Sequence, residues 1–468
     1  MFNVIRDPWI KTDNGMYGIR DLLEKSPDLN EIRGENYLNE FAIYRFLFAF
    51  LMDALQVEHI VARDRILYSG KFDMDKIDAY IDKCISEGVS FDIYDDQKPF
   101  LQDSGQFDEK NDLKSIARLD FLKPTGRNKR FFDKTYENVV TMTDDEIARF
   151  LPTMTLHPSE GGGGVYPQCI SGVPLYVLVK GRNLFETLAL GIIPISEAGR
   201  PYGKPSWRMG SVIGTTTKAA PFVEPGLLFG LTLPIRPVRI IDHSSLYHRG
   251  AFYYNAPSWR DPYVPYRMSK SGKVTSMRAK KGFYAHWTDL ITLSNTVNED
   301  PVSTKIVGLA AGYLKSNKIP LTVITYNMLK PGSMQPRYSD IRKGDFVLPV
   351  EMIGNKDAID KLRTYATYLD KVADILSKKL YTVFKEYGLS VKDNAMQKFH
   401  VECDKEFYRC CMKENIEYVD WIDLLRNLAV SVFDEFVMNR LGTEALVVAM
   451  RKRYDLIVSV EKLKPRSK

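Results

Sequence analysis

Cysteine and histidine are scarce in this chain: its 468 residues hold five of the first and six of the second. Cys84, Cys169, Cys403, Cys410 and Cys411 form no C-x-x-C pair, and His59, His157, His243, His248, His286 and His400 form no H-x-x-x-H. Such spacing rules out the common zinc motifs and a disulfide framework, so no metal is expected and a reducing, cytoplasmic setting is. No run of about 18 apolar residues occurs, which leaves no expected membrane span. The opening "MFNVIRDPWIKTDNGMYG" lacks the basic and then apolar stretch of a signal peptide. Charge of one sign is not in excess either. Lys and Arg number 65 against 59 Asp and Glu, a net +6, which permits a nucleic-acid partner without demanding one.

Nucleotide and catalytic motifs are also missing. A phosphate-binding loop needs Gly, four residues, then Gly-Lys-Ser/Thr, and neither "GGGGVYPQ" nor "YGKPSW" supplies it. A dinucleotide fold needs G-x-G-x-x-G after a strand, whereas the glycine run here follows a predicted helix. There is no G-x-S-x-G nucleophile elbow and no carboxylate pair with the look of a dyad. "HVEC" sets His400 and Cys403 three apart on a predicted helix, a spacing that a metal could use. A part-buried histidine beside a core cysteine explains it as well. No cofactor is expected.

What the chain does have is a run of four glycines, Gly161, Gly162, Gly163 and Gly164. Side chains absent from four successive positions let a backbone approach a groove or a phosphate where any Cβ would clash; the same run could also be a hinge. Basic residues interleaved with aromatics recur in "GRNKRFF" (126–132), "YHRGAFYYN" (247–255), "WRDPYVPYRMSKSGK" (259–273) and "MRAKKGFYAHW" (277–287). Lys and Arg there suit phosphates, and the rings suit stacking. Taken singly, each is also what a solvated basic loop packed by its own aromatics looks like.

Periodicity organises the rest. The opening reads strand, turn, strand, helix, with Asn14-Gly15 as the hairpin signal. "NYLNEFAIYRFLFAFLMDALQ" (36–56) predicts a largely buried helix, and "DMDKIDAYIDKCISEG" (73–88) an amphipathic one stopped by Gly88. The polar stretch 103–138 reads mostly as loop. "TDDEIARFLPTM" predicts a capped helix, "PLYVLVKG" a strand and "NLFETLALGIIP" a helix opened by Asn183. From about 195 to 352 the pattern is short strands and long loops, with "GLLFGLTLPIRPVRII" (226–241) the clearest strand region. From Asn355 onward helical period dominates, in four segments with short polar turns, which predicts a four-helix bundle. On the third of these, Trp421, Leu424, Leu425 and Leu428 have core spacing. The expected fold is α+β: a large mixed domain over residues 1–354, then an all-α four-helix bundle over 355–468.

Several motifs in order resemble the CasA family, the large subunit of the type I-E CRISPR Cascade complex. "FNVIRDPWI" is similar to that family's F-N-L-I-x-x-P-W-I, and "PFLQD" (99–103) follows. "GGGGVYPQCISGVPLYVLVKGRNLFETLALGIIP" (161–194) resembles its glycine loop, strand and helix. "GKPSW" (203–207), "GLLFGLTLPIRPVRI" (226–240) and the helical C-terminus agree in order and spacing. The resemblance covers nearly the whole length. It implies a non-catalytic, cytoplasmic subunit that reads the PAM of double-stranded target DNA from the minor groove. It also implies help with strand separation and R-loop formation, and recruitment of a helicase–nuclease. The implied partners are the other Cascade subunits, crRNA, the target duplex and the recruited nuclease, with no membrane.

Site residues follow from the same resemblance. Gly161–Gly164 would form the DNA-facing glycine loop. A basic minor-groove finger falls on Arg249. A strand-separating wedge falls on Ser316, Asn317 and Lys318 in "AGYLKSNKIP". The loop that contacts the crRNA handle falls within 113–130, with Lys123, Arg127, Lys129 and Arg130 as its basic residues. Two other classes stay open: a structural scaffold without direct DNA readout, in which the glycine run is only a hinge, and an enzyme of unrecognised type.

Overall fold

The structure is a computed structural model describing residues 1–103, 105, 107–120, 140–156, 175–209, 226–234, 238–248, 259–268, 274–276, 305–329, 340–348, 355–387, 392–411, 417–438 and 443–465. The described residues up to Val347 form one compact unit, and those from Leu348 onward a second.

The first unit opens with a hairpin, β1 (Ile10–Thr12) and β2 (Gly15–Tyr17), followed by α1 (Ile19–Lys25) and β3 (Ile32–Arg33), which pairs with β1. Thr12 pairs with Gly15, so the turn is Asp13-Asn14, one residue earlier than expected, and Gly15 takes the positive φ of +110° as the second strand begins. The Thr12 hydroxyl sets this register by accepting from Asn14 N–H at 3.0 Å. Residues ahead of Ile10 are held by turns instead of a strand: Trp9 Nε1 donates to Val4 O at 2.8 Å.

Next comes α2 (Tyr37–Leu55), capped by Asn36, whose side chain accepts from Asn39 N–H at 2.9 Å. It is buried almost all round, with Phe41, Ile43, Leu47, Phe48, Phe50 and Leu51 fully inside. At about 1.5–3 kcal/mol per large apolar side chain, this helix is the axis of the unit's core. Around it lie α3 (Ile60–Ser69) and α4 (Met74–Ser86), the latter capped by Asp73 and followed by Gly88 at φ +79° as expected. Within the stretch read as loop, Leu113–Ser115 forms β4. Then α5 (Asp144–Phe150) starts with a Thr143/Glu146 capping box. It runs into a 3-10 turn, Leu151–Thr155.

The strand β5 (Tyr176–Lys180) and the helix α6 (Leu184–Leu190), capped by Asn183, fall where the sequence puts them. The 226–241 region does not. Leu227–Thr232 is a helix, α7, and only Val238–Ile240 is a strand, β6. All six residues of α7 are buried, so the run is apolar on every side and carries no period to separate helix from strand. Gly230 serves a close contact there: a Cβ would sit 2.2 Å from the Trp259 ring. The strands β7 (Ser245–His248), β8 (Tyr266–Met268) and β9 (Val274–Ser276) follow, with β7 between β4 and β6. Helix α8 (Lys305–Ser316) and two nine-residue strands, β10 (Leu321–Leu329) and β11 (Asp340–Leu348), exceed the short strands expected in this third. β10 sits between β11 and β5 in one sheet, with Tyr326 opposite Tyr176.

The second unit consists of α9 (Lys356–Tyr387), α10 (Lys392–Cys411), α11 (Tyr418–Phe433, continued by a π turn) and α12 (Thr443–Glu461), which pack on one another. Leu362, Leu369, Val372, Leu376, Leu380 and Val383 line the buried stripe of α9. Trp421 Nε1 donates to Tyr365 O at 3.1 Å. Trp421 and Leu425 are in the core as predicted, but Leu424 and Leu428 are only half-buried. The core stripe runs instead through Ile422 and Ala429, because the helix is turned by part of a residue step from the leucine pattern. His400 and Cys403 are both buried on α10. No helix among the described residues is long and apolar enough to cross a membrane.

Candidate nucleic-acid interface

Most residues that the sequence nominates lie outside the described residues: Gly161, Gly162, Gly163 and Gly164, Arg249, and Lys123, Arg127, Lys129 and Arg130. The structure describes the frame that holds the ends of those segments. Leu156 and Leu175 are the described residues that flank segment 157–174, and the Tyr176 hydroxyl donates to Leu156 O at 2.8 Å. A buried hydrogen bond thus joins the stretches of chain on either side of the glycine-containing segment 157–174.

That junction rests on α2 through Arg45. Arg45 is 1 % exposed and donates through Nε and Nη2 to Asp261 Oδ2 at 3.0 and 2.8 Å. Its Nη1 donates to Thr155 Oγ1 at 3.1 Å and to Leu231 O. One guanidinium thus ties α2 to the turn before the glycine segment, to α7 and to the chain that resumes after 249–258. A charge this deep is tolerable because its donors are matched to acceptors, a carboxylate among them. Arg249 itself follows β7 directly, and at the other end of 249–258 the fully buried Trp259 carries the Arg200 guanidinium over its ring at 4.9 Å.

A second set of α2 side chains supports the sheet of β5, β10 and β11. Phe41 stacks on Tyr176, centroids 4.7 Å apart, and tilts against Tyr326 at 5.2 Å. Glu40 Oε1 accepts from Tyr326 OH at 2.8 Å and from Lys343 Nζ at 2.7 Å. Burial pushes the Glu40 carboxyl above its usual range, and the Lys343 and Tyr326 hydrogen bonds only partly oppose it. Burial likewise pushes the Tyr326 phenol well up, with the Glu40 charge adding to it.

Ser316, Asn317 and Lys318 are brought together where α8 ends. Ser316 Oγ donates to Gly312 O at 3.0 Å, and Asn317 Nδ2 donates to Tyr313 O at 2.8 Å and to Tyr68 OH at 3.3 Å. Lys318 takes a positive φ of +54°, with its N–H on Lys315 O. The Asn317 amide is thus engaged in closing the helix, while Ser316 and Lys318 are exposed. Among the described residues, no group of three or more His, Cys, Asp or Glu side chains is placed to hold a metal ion.

Sequence reasoning passed over Glu40, Arg45, Asp261, Tyr326 and Lys343. The available signal was the set of charges at Glu40, Arg45 and Asp53 inside a mostly apolar helix, where each had to find a partner. The partners themselves could not be named, since Asp261 is 216 positions from Arg45.

Comparison with known proteins places this architecture. No curated protein matches the sequence. Thermus thermophilus CasA (Cse1) is similar in structure with a TM-score of 0.73 at 19% identity, over 98% of this chain and 99% of that one. Thermobifida fusca Cse1 is similar with 0.72 at 18% identity, over 98% of each chain. A chain of a CRISPR RNA-guided surveillance complex gives 0.71 at 18% identity, over 97% of this chain and 99% of that one. At such identities the likeness is one of fold. The sequence match is to the CRISPR-associated protein Cse1 family over residues 3–426, and the chain belongs to that family.

Proposed function

We propose that this chain is the large subunit of an RNA-guided CRISPR surveillance complex and that it reads the PAM flank of double-stranded target DNA. It acts by binding, without a catalytic step. It aids strand separation as the guide pairs, and offers a surface to the helicase–nuclease that degrades the target. Its partners are the other subunits, the crRNA and the duplex. Membership of the Cse1 family and the likeness to a chain of a surveillance complex support the assembly. The observation that carries DNA reading concerns the glycine segment. Its flanks are held, Leu156 by the Tyr176 hydroxyl and Thr155 by Arg45, and the sequence between them carries four glycines in a row. A backbone without side chains suits close approach to a duplex, where sequence is read by shape and groove edges and a few phosphate contacts fix register. Minor-groove reading distinguishes A·T from G·C and little more, so the flank preference should be broad.

Gly163→Asp tests this reading. The substitution adds bulk and negative charge at the backbone face. Duplex affinity of the assembled complex should fall while assembly on crRNA persists. Unchanged affinity would remove the glycine loop from the interface.

A further inference from the structure

Glu40 is 5 % exposed, and its carboxylate is held by two donors from two different strands, Tyr326 OH on β10 and Lys343 Nζ on β11. Lys343 also lies over the rings of Tyr37 at 5.9 Å and Tyr326 at 6.0 Å, and 3.9 Å from Glu31. Burying a carboxylate is expensive, and a well-packed apolar pair could stabilise the fold as much. What an ion pair supplies that an apolar contact does not is one fixed register between the groups it joins. The register joined here matters for where the chain goes next. Tyr326 pairs with Tyr176 across β10 and β5, so the Glu40 carboxylate sits at the level where β5 begins. In the chain, Leu175 separates segment 157–174 from the start of β5 at Tyr176, and β10 ends at Leu329, three positions beyond Tyr326.

We propose that Glu40, Tyr326 and Lys343 form a buried ionic latch that fixes the edge strand β11 and this end of the sheet against α2, making Glu40 a positioning residue for duplex recognition. Glu40 touches no DNA; it acts through Lys343 and Tyr326. The inference rests on the DNA-reading function proposed above.

The test is a double-mutant cycle on the assembled complex, with a double-stranded DNA that carries the guide's target and its flank as probe. Glu40→Gln keeps the shape and removes the charge; Lys343→Met keeps the stem and removes the partner. Each single variant should weaken duplex binding on the order of tenfold, a coupling near 1.4 kcal/mol, and the double variant should be no weaker than either single one. Breaking the pair from one side lowers thermal stability, so binding is compared at a temperature where every variant is fully folded; assembly on crRNA should stay as in the parent chain, and Tyr326→Phe should weaken binding in the same direction. Additive losses, or unchanged affinity alongside a weakened Gly163→Asp complex, would overturn the latch and leave the DNA-reading function standing. Unchanged affinity in Gly163→Asp as well would overturn both. Variants that fail to fold or assemble would make Glu40 a folding residue and also overturn the positioning role.

Discussion

Asp261→Asn removes the counter-charge of Arg45 and turns one of two accepting oxygens into a donor, since Oδ2 takes the Arg45 bonds and Oδ1 takes Tyr263 N–H at 3.0 Å. Both side chains are 1 % exposed, and Arg45 reaches Asp261 through two of its nitrogens at 2.8 and 3.0 Å. The Thr155 and Leu231 acceptors remain, and the amide oxygen can still face Arg45, at the loss of the bond from Tyr263 N–H. The larger loss is the charge that matches Arg45. Breaking a buried pair from one side costs about 3–5 kcal/mol, a large share of the roughly 5–15 kcal/mol that holds a domain together. Equilibrium urea unfolding reads this directly. With an m value of about 3 kcal/mol/M, the midpoint of the first unit should fall by about 1–1.7 M, with no change in the transition of the helical unit. Arg45→Met combined with Asp261→Asn should recover part of the loss, since no unmatched charge is then buried. A midpoint shift under about 0.3 M would mean that solvent or another group already compensates Arg45, and the reasoning about the frame would fail.

Three further outcomes are expected. Leu425→Asp places an unpaired charge at a fully buried position of α11 and should cost the helical unit its cooperative transition, read by far-UV circular dichroism on melting. Burial raises the Glu35 and Asp145 carboxyls, but hydrogen bonds and the nearby Arg149 charge (with Lys11 at Glu35 and Thr143 at Asp145) outweigh it and leave both lowered. Carboxyls lowered in the folded state stabilise it above their ordinary range and lose that contribution as pH falls through the folded values. Acid should therefore destabilise the first unit below about pH 4, and Arg149→Met should flatten that dependence in urea midpoints taken across the range. Arg249→Ala should cost roughly 1–3 kcal/mol on duplexes with the preferred flank and much less on others if the residue is a groove finger. A loss equal on both duplexes would make it a phosphate contact.

How much of this could be read in advance depends on the distance between partners. α2 was legible because a mostly apolar stretch follows an Asn cap, and α5 because Thr143 and Glu146 spell a capping box. The four C-terminal helices were legible from their period, although the face of α11 was misphased at Leu424 and Leu428, where leucine pattern and burial part by one position. α7 was misread because a segment buried on every side shows no period. The glycine segment stood out, but the bonding at its flanks, Tyr176 to Leu156 and Arg45 to Thr155 and Asp261, joins residues that only the fold brings together. The same holds for Glu40 and Lys343, whose separation of 303 positions hides a contact of 2.7 Å.

Duplex reading is tested most directly by the affinity of the surveillance complex, assembled with and without this chain, for two DNA duplexes that share the guide's target and differ only in the PAM flank. With the chain present, the preferred flank should bind more tightly than the altered one by on the order of tenfold or more, the discrimination of about 1–3 kcal/mol that one good base contact gives. Without the chain, the two duplexes should bind alike. Equal affinity for both flanks with the chain present, or a preference that survives its removal, would contradict the claim.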